Sequence, residues 1–312
     1  MWAILGLCVA LVMGWSLLQS KSWTAKGKNV LITGGSQGLG LALAKRLASH
    51  GANVVICSRS EAKLQAATKE VETVRLNPGQ TIAYVSADVS TFQGAAEALA
   101  KCPTTPDTVF CCAGGAKPGL FVEQTEADFQ AAVRTDYFTA LATAHASAKA
   151  MLASHVQGRI VLVSSVMGFM GLVGYSQYSP MKYAIRGLAE CLRSEFGLYG
   201  LTVQTYFPAT ILSPGFDEEN KTKPQVTKDI EGADDQKTPE QCAEHLERGV
   251  EAGHFSITDG LVGMFLRISS GGSAPGNGLL VDSLLFLPAR LALLVWRRFV
   301  ADRTVAQYRK PQ

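Results

Sequence analysis

The sequence has little of what metal sites and disulfide frameworks require. Its 312 residues include only five histidines, spread along the chain, and seven cysteines with no C-x-x-C pair. The number of cysteines is odd and several lie in apolar runs, which indicates buried free thiols in a reducing compartment. We therefore expect neither a metal site nor structural disulfides.

Charge of either sign is also scarce. Charged residues make up 18% of the chain and the net charge is only +3. No Lys/Arg cluster is interleaved with aromatic residues as a nucleic-acid groove would need, so we expect no nucleic-acid partner. Hydrophobic residues reach 47%, which indicates a globular protein with some membrane character. The length allows one large α/β domain or two smaller ones.

The N-terminal end is a long apolar run. Residues 1–19 carry no charged side chain, and as a helix they would nearly match the thickness of a bilayer. Lysines follow this run, whereas a cleaved signal peptide has its positive charge before the run. We therefore predict an uncleaved transmembrane anchor over residues 1–20, in preference to a signal peptide, with the rest of the chain in the cytosol.

The C-terminal end is apolar but interrupted. Residues 279–300 contain Asp282, Pro288 and Arg290, and a charge at the bilayer centre is costly. We predict that residues 263–312 form a membrane-associated segment that lies at the interface. A second membrane span and a terminal helix packed on the domain remain as alternatives.

Between the two ends, short apolar runs alternate with helical patterns, which predicts a parallel sheet covered on both faces. Residues 212–237 are polar, break this alternation and are predicted to form a long loop that acts as a lid. The predicted strands are 29–34, 53–58, 81–88, 107–114, 158–165 and 202–209. The predicted helices are 38–50, 61–76, 126–153, 178–198 and 238–252.

A glycine-rich turn, TGGSQGLG, occupies residues 33–40 between the first predicted strand and the first predicted helix. The glycines allow the backbone to approach a phosphate, and the new helix presents free N–H groups to the anion. The predicted contacts are Gly34, Ser36, Gln37, Gly38, Leu39 and Gly40.

The end of the second predicted strand indicates which dinucleotide is bound. An acidic residue usually stands there when the ribose carries a free 2′-hydroxyl. This chain has Ser58 and Arg59 instead, with Lys63 one turn further on. Because arginine can hold a 2′-phosphate with two hydrogen bonds, we predict NADPH rather than NADH.

The stretch YSQYSPMKYAIRG contains three tyrosines and one lysine. Only Tyr178 stands four residues before Lys182, and residues four apart share a helix face. A nearby ammonium stabilises a phenolate and lowers the pKa of a phenol from about 10. The pair is a candidate proton donor, although this common motif alone favours two partly exposed helix residues without a catalytic role.

Taken together, these motifs resemble the short-chain dehydrogenase/reductase family over residues 26–262. The resemblance implies a Rossmann-like, doubly wound parallel sheet in a single domain, with the anchor and the apolar segment at its two ends. The matching features are T-G-x-x-x-G-x-G at 33–40, Asp88-Val89, C-C-A-G at 111–114, Ser165 and Tyr178-x-x-x-Lys182.

The resemblance implies a role for each matching residue. Tyr178 would donate a proton to the substrate carbonyl, and Lys182 would lower its pKa and hold the nicotinamide ribose. Ser165 would hydrogen-bond the carbonyl, with Ser164 as the fallback assignment. Asp136 stands where the family often has an asparagine in its proton relay. Further implied cofactor contacts are Asp88, Val89, Ala113, Gly114, Pro208, Ile211 and Ser213.

Three stretches narrow the resemblance to the 3-ketodihydrosphingosine reductases, particularly fungal ones. They are GGSQGLG, YSPMKYAIRGLAECLRSE and FPATILSPGFDEENKTKP. This implies NADPH-dependent reduction of long-chain 3-ketosphinganine to sphinganine in sphingolipid biosynthesis, in contact with membrane lipid. The location would be the endoplasmic reticulum membrane, with the catalytic domain facing the cytosol. Homo-oligomerisation is left open.

Asp217, Glu218 and Glu219 in the predicted lid are candidates to attract the substrate's ammonium, although a solvated run of charge is the simpler interpretation. Two other functions remain open. One is a membrane-bound reductase of another lipid carbonyl, such as a steroid or retinal. The other is a cofactor-binding scaffold without catalysis.

Overall fold

A computed structural model describes residues 23–232 and 236–309. Seven parallel strands form one sheet in the order β3-β2-β1-β4-β5-β6-β7. This confirms the predicted Rossmann-like parallel sheet. The strands are β1 Asn29–Thr33, β2 Asn53–Ser58, β3 Ile82–Ser86, β4 Thr108–Cys111, β5 Arg159–Val163, β6 Thr202–Phe207 and β7 Ser256–Thr258.

Helices cover both faces of the sheet. On one face α1, α2 and α9 pack through Leu43, Leu64 and Leu246, and on the other α3, α5 and α6 pack through Ala95, Ala142 and Ile185. The bounds are α1 Gly38–Ser49, α2 Glu61–Thr73, α3 Phe92–Ala100, α4 Glu126–Ala132, α5 Thr139–Ala153, α6 Ser179–Gly197, α7 Pro214–Thr222, α8 Gln225–Glu231 and α9 Pro239–Glu251.

The prediction of a loop over residues 212–237 is wrong, because this segment contains the helices α7 and α8. Ser213 caps α7 by accepting a hydrogen bond from the Phe216 N–H, and Pro214 follows at the first helical position. This Ser-Pro pair is a helix start signal. The polar composition hid the signal, and whether the segment acts as a lid stays a prediction.

The predicted helix over residues 126–153 is interrupted in the middle. A π-helical turn, Val133–Phe138, separates α4 from α5. Turns of this kind are frequent at functional sites and leave no periodic signal in the sequence.

The C-terminal part of the chain is helical. It consists of α10 (Gly260–Ser270), α11 (Leu279–Trp296), a π-helical turn (Arg297–Ala301) and α12 (Asp302–Gln307). The continuous helix over Leu279–Gln307 is long and apolar enough to cross a bilayer, with a mean hydropathy of 1.9. Only 6% of its most apolar 18-residue stretch is buried. The anchor predicted over residues 1–20 lies outside the described residues.

Candidate active site

A cavity of about 470 Å³ opens at the carboxyl ends of the strands. It lies between β1 and β4, because the strands run outward from β1 to β3 on one side and from β4 to β7 on the other. This is the switch point at which α/β sheets bind ligands. Most of the predicted site residues line it. They are Gly34, Ser36, Gln37, Gly38, Leu39, Gly40, Arg59, Asp88, Val89, Ala113, Gly114, Ser164, Ser165, Tyr178, Lys182, Pro208, Ile211 and Ser213.

The glycine-rich turn packs too tightly for side chains. Gly34 has a φ of +69°, and a Cβ there would lie 2.9 Å from the backbone of Ala113. A Cβ on Gly40 would lie 2.4 Å from the Gly34 carbonyl oxygen. Helix α1 then begins without a side-chain cap, so its first N–H groups are free to face an anion in the cavity.

The end of β2 presents polar groups to the cavity. The hydroxyl of Ser58 is buried and has no hydrogen-bond partner, and the neighbouring Arg59 is exposed. Lys63 does not line the cavity, but its Nζ lies 2.9 Å from Oε1 of Gln37, which does. Hydrogen bonding by Ser90 lowers the pKa of Asp88, which keeps that carboxyl ionised at the cavity wall.

Tyr178 stands at the start of α6, with Lys182 one turn further along the same face. The Lys182 side chain is buried, and its Nζ lies 5.1 Å from the centre of the Tyr178 ring. Burial raises the pKa of Tyr178, and the carboxylates of Asp136 and Glu219 raise it further. The phenol is therefore protonated and can act as a donor.

The predicted lowering of the Tyr178 pKa by Lys182 is opposed in this arrangement by Asp136. Nζ of Lys182 lies 3.6 Å from Oδ1 of Asp136, so much of its positive charge is compensated. Instead, a hydrogen bond with the Ser165 side chain is what opposes the rise.

The two adjacent serines after β5 have different surroundings. The Ser165 side chain forms a hydrogen bond with Tyr178. Its Oγ also accepts a hydrogen bond of 3.2 Å from the Met167 N–H. The Ser164 hydroxyl donates to the backbone carbonyl of Lys182 at 2.9 Å. Ser164 thus links the end of β5 to α6. Ser165, which lies at Tyr178, is better placed to hydrogen-bond a substrate carbonyl.

Asp136 lies in the π-helical turn, behind the cavity wall. Its Oδ1 accepts a hydrogen bond of 3.1 Å from the Gly115 N–H, and the residue is only 2% exposed. Burial raises the pKa of Asp136, and the nearby Lys182 opposes that rise. Lys182 thus lies between this carboxyl and Tyr178.

Sequence reasoning missed Tyr175 and Glu231 as parts of the cavity wall, whereas it named Glu219 as a candidate. Tyr175, Glu219 and Glu231 line the cavity beside Tyr178, and the rings of the two tyrosines lie 5.8 Å apart. Of the three acidic candidates in the predicted lid, only Glu219 reaches the cavity, whereas Asp217 and Glu218 are exposed.

Comparison with known proteins identifies the family of the chain. Residues 28–224 match the family model described as short chain dehydrogenase. The 3-ketodihydrosphingosine reductase of Cryptococcus neoformans var. neoformans serotype D (strain B-3501A) is 38% identical over 296 residues, which cover 93% of this chain and 88% of that protein. The 3-dehydrosphinganine reductase of Danio rerio is 35% identical over 263 residues, or 83% of this chain and 79% of that protein.

The fold is also shared with a solved structure, a short-chain dehydrogenase from Sphingobium yanoikuyae in complex with NADPH. The TM-score is 0.64 at 22% identity, covering 74% of this chain and 87% of that chain. Similarity at this level of identity shows the fold alone. The family model and the two relatives go further, and on their match the chain belongs to the short-chain dehydrogenase family of oxidoreductases.

Proposed function

We propose that the chain reduces the ketone of 3-ketosphinganine to the alcohol of sphinganine, with NADPH as the reductant. The observation that carries the proposal is the convergence of Tyr178, Ser165 and Lys182 in one cavity. The substrate is supported by the name of the Cryptococcus relative, a 3-ketodihydrosphingosine reductase that matches 93% of this chain.

The mechanism follows from the positions of these three side chains. The nicotinamide cofactor, when bound, supplies the hydride that adds to the carbonyl carbon. Tyr178 donates its phenolic proton to the carbonyl oxygen as negative charge develops there. Ser165 donates a hydrogen bond to the same oxygen, and the ammonium of Lys182 stabilises the phenolate that remains. A proton from solvent then restores Tyr178.

The residues around the cavity fit a dinucleotide with a 2′-phosphate. The unpartnered Ser58 hydroxyl and the exposed guanidinium of Arg59 lie together at the end of β2, and both can donate to phosphate oxygens. Aspartate or glutamate, the usual partner of a free 2′-hydroxyl, is missing at this position. These features support NADPH over NADH.

The proposed location is the endoplasmic reticulum membrane, with the catalytic domain in the cytosol. The exposed apolar helix α11 supports contact with lipid, and the apolar run of residues 1–19 supports an anchor. A substrate with a long alkyl chain resides in the bilayer, so attachment of the enzyme raises its effective concentration there.

The test is NADPH oxidation by detergent-solubilised full-length protein with 3-ketosphinganine, and with a steroid ketone and retinal in parallel. We expect turnover with 3-ketosphinganine only. In Tyr178→Phe, kcat should fall by about 10²- to 10⁴-fold while NADPH binding is retained, because a general acid is lost. Turnover of the steroid or retinal alone would overturn the assignment of 3-ketosphinganine as substrate. A Tyr178→Phe variant as active as wild type would overturn the mechanism.

A further inference from the structure

A buried charged cluster forms one wall of the cavity, next to Tyr178. It consists of Tyr175, Glu219, Lys223 and Glu231, which we call the acidic clamp. The Tyr175 hydroxyl lies 2.6 Å from Oε1 of Glu219 and 2.6 Å from Oε1 of Glu231. Nζ of Lys223 lies 2.9 Å from Glu219 and 2.7 Å from Glu231.

The Tyr175 hydroxyl cannot donate to both carboxylates of the acidic clamp. A phenol carries a single O–H, so Tyr175 can donate to only one of the two carboxylates at 2.6 Å. The other carboxylate has the ammonium of Lys223 as its donor within the acidic clamp, and an N–H group of a ligand in the cavity would add a second donor.

The acidic clamp also carries excess negative charge. Two carboxylates face one ammonium, that of Lys223, whose side chain is only 1% exposed. The carboxylates of Glu219 and Glu231 are 18% and 16% exposed, so water screens them little. A partly buried carboxylate without full compensation is unfavourable, and a cation at this place would be stabilised.

The position of the acidic clamp relates it to the reaction centre. Glu219 and Glu231 line the same cavity as Tyr178, whose ring lies 5.8 Å from that of Tyr175. In 3-ketosphinganine the ammonium is on the carbon directly next to the ketone. A clamp next to the proposed proton donor is therefore at the right place for this group.

We propose that Glu219 and Glu231 bind the ammonium of the substrate and so select 2-amino ketones over neutral ketones. The inference rests on the proposed function, since it assigns the amine-binding part of that substrate site. Tyr175 and Lys223 act as positioning residues that hold the two carboxylates at the cavity.

The experiment compares 3-ketosphinganine with N-acetyl-3-ketosphinganine, which has the same chain and ketone but no positive charge. Glu219→Gln keeps the shape and removes the charge, and Glu231→Gln is the second variant. Glu218→Gln is the matched control, because Glu218 is a neighbouring exposed glutamate paired with Lys221. Binding of sphinganine to each protein is measured by equilibrium titration, with thermal unfolding and NADPH binding as checks of folding.

We expect wild type to prefer the free amine, and Glu219→Gln to raise its KM and the Kd of sphinganine by about 10- to 100-fold, as for the loss of a hydrogen bond to a charged group. The KM of the N-acetyl substrate should not change, and Glu218→Gln should behave as wild type. Equal effects on both substrates, or none in either clamp variant, would overturn the inference. The proposed function would fail separately, through absent turnover of 3-ketosphinganine by wild type.

Discussion

At the scale of single residues, the pKa of Tyr178, the proposed proton donor, is raised by a carboxylate that lies far from it in the sequence. Asp136 sits 3.6 Å from Lys182 and raises the pKa of Tyr178. The lysine that would favour the phenolate is thus held in check. This arrangement keeps Tyr178 protonated, which suits the direction of carbonyl reduction.

Replacing Asp136 by asparagine should change the pH dependence of the reaction. The amide oxygen can still accept from Gly115, but the negative charge is lost, so the pKa of Tyr178 should fall. An ionised phenol cannot donate a proton, and the alkaline loss of kcat/KM should therefore begin at lower pH than in wild type. Profiles of kcat/KM against pH measure this, with the exposed Asp217→Asn as control. An unchanged alkaline limb, or one moved to higher pH, would contradict the role of Asp136.

Replacing Arg59 by alanine should weaken the binding of one cofactor and not the other. Loss of hydrogen bonds to a charged phosphate costs about 1.5–3 kcal/mol, so the Kd for NADPH should rise about 10- to 100-fold while that for NADH stays unchanged. Fluorescence titration measures both constants. Arg75→Ala, at another exposed arginine, serves as control. Equal weakening of NADPH and NADH binding would show that Arg59 does not recognise the 2′-phosphate.

Residues within one motif could be predicted from the sequence, and residues paired across the chain could not. Tyr178 and Lys182 are four apart on one helix, and the spacing alone brings them together. Tyr175 forms a hydrogen bond with Glu231, which lies 56 positions further along the chain, and no local sequence pattern predicts such a contact. Asp136 was found through the family resemblance, but its effect on the Tyr178 pKa required the distance to Lys182.

At the scale of elements, α11 has one side on the domain and the other side exposed. Arg267 in α10 holds Asp282 with two hydrogen bonds of 2.7 Å, so the charge that interrupts the apolar run is paired. Further along, Ala289 is fully buried and Trp296 packs against the cluster of Val226 and Ile230. A helix fixed at several points to the domain is better placed to lie at the membrane surface than to cross it.

A spin label on the exposed side of α11 should report lipid. Leu287 is 62% exposed, and Leu198 at the end of α6 is 79% exposed and serves as the matched control. In liposomes, a nitroxide at 287 should be relaxed more by oxygen than by a water-soluble nickel complex, at a depth of about 5–10 Å. The label at 198 should show the reverse.

The labelling is done with Cys8 and Cys191 replaced by serine, because Cys191 is the exposed cysteine of the described residues. A depth near the bilayer centre would favour the second span. Equal access of nickel to both labels would argue against any contact with lipid.

Elements with strong periodic or apolar patterns were predicted well, and weak ones were not. Six strands are continuous apolar runs and were found, whereas β7 has only three residues. Helix α3 carries Gly94, a poor helix former, whose Cα packs so closely that a Cβ would lie 2.1 Å from the Asp88 carbonyl oxygen. Tertiary packing outweighed local preference there.

At the scale of the whole molecule, the helices that flank the cavity are tied to the exposed apolar end of the chain. Tyr308 hydrogen-bonds Asp229 in α8, and Arg297 donates to the Gly171 carbonyl at 3.1 Å. Helix α8 ends at Glu231, one half of the acidic clamp. The part of the chain that we place at the lipid surface thus supports the wall of the cavity that we assign to the substrate's polar end.

The central claim is hydride transfer to the ketone of 3-ketosphinganine at Tyr178. The most direct test supplies full-length protein with NADPH deuterated at both C4 positions and examines the product by mass spectrometry. Sphinganine with one deuterium on C3 is predicted, formed in step with NADP⁺, and its formation should be greatly slowed in Tyr178→Phe. Oxidation of NADPH without deuterium at C3, or equal labelling by the variant, would contradict the account.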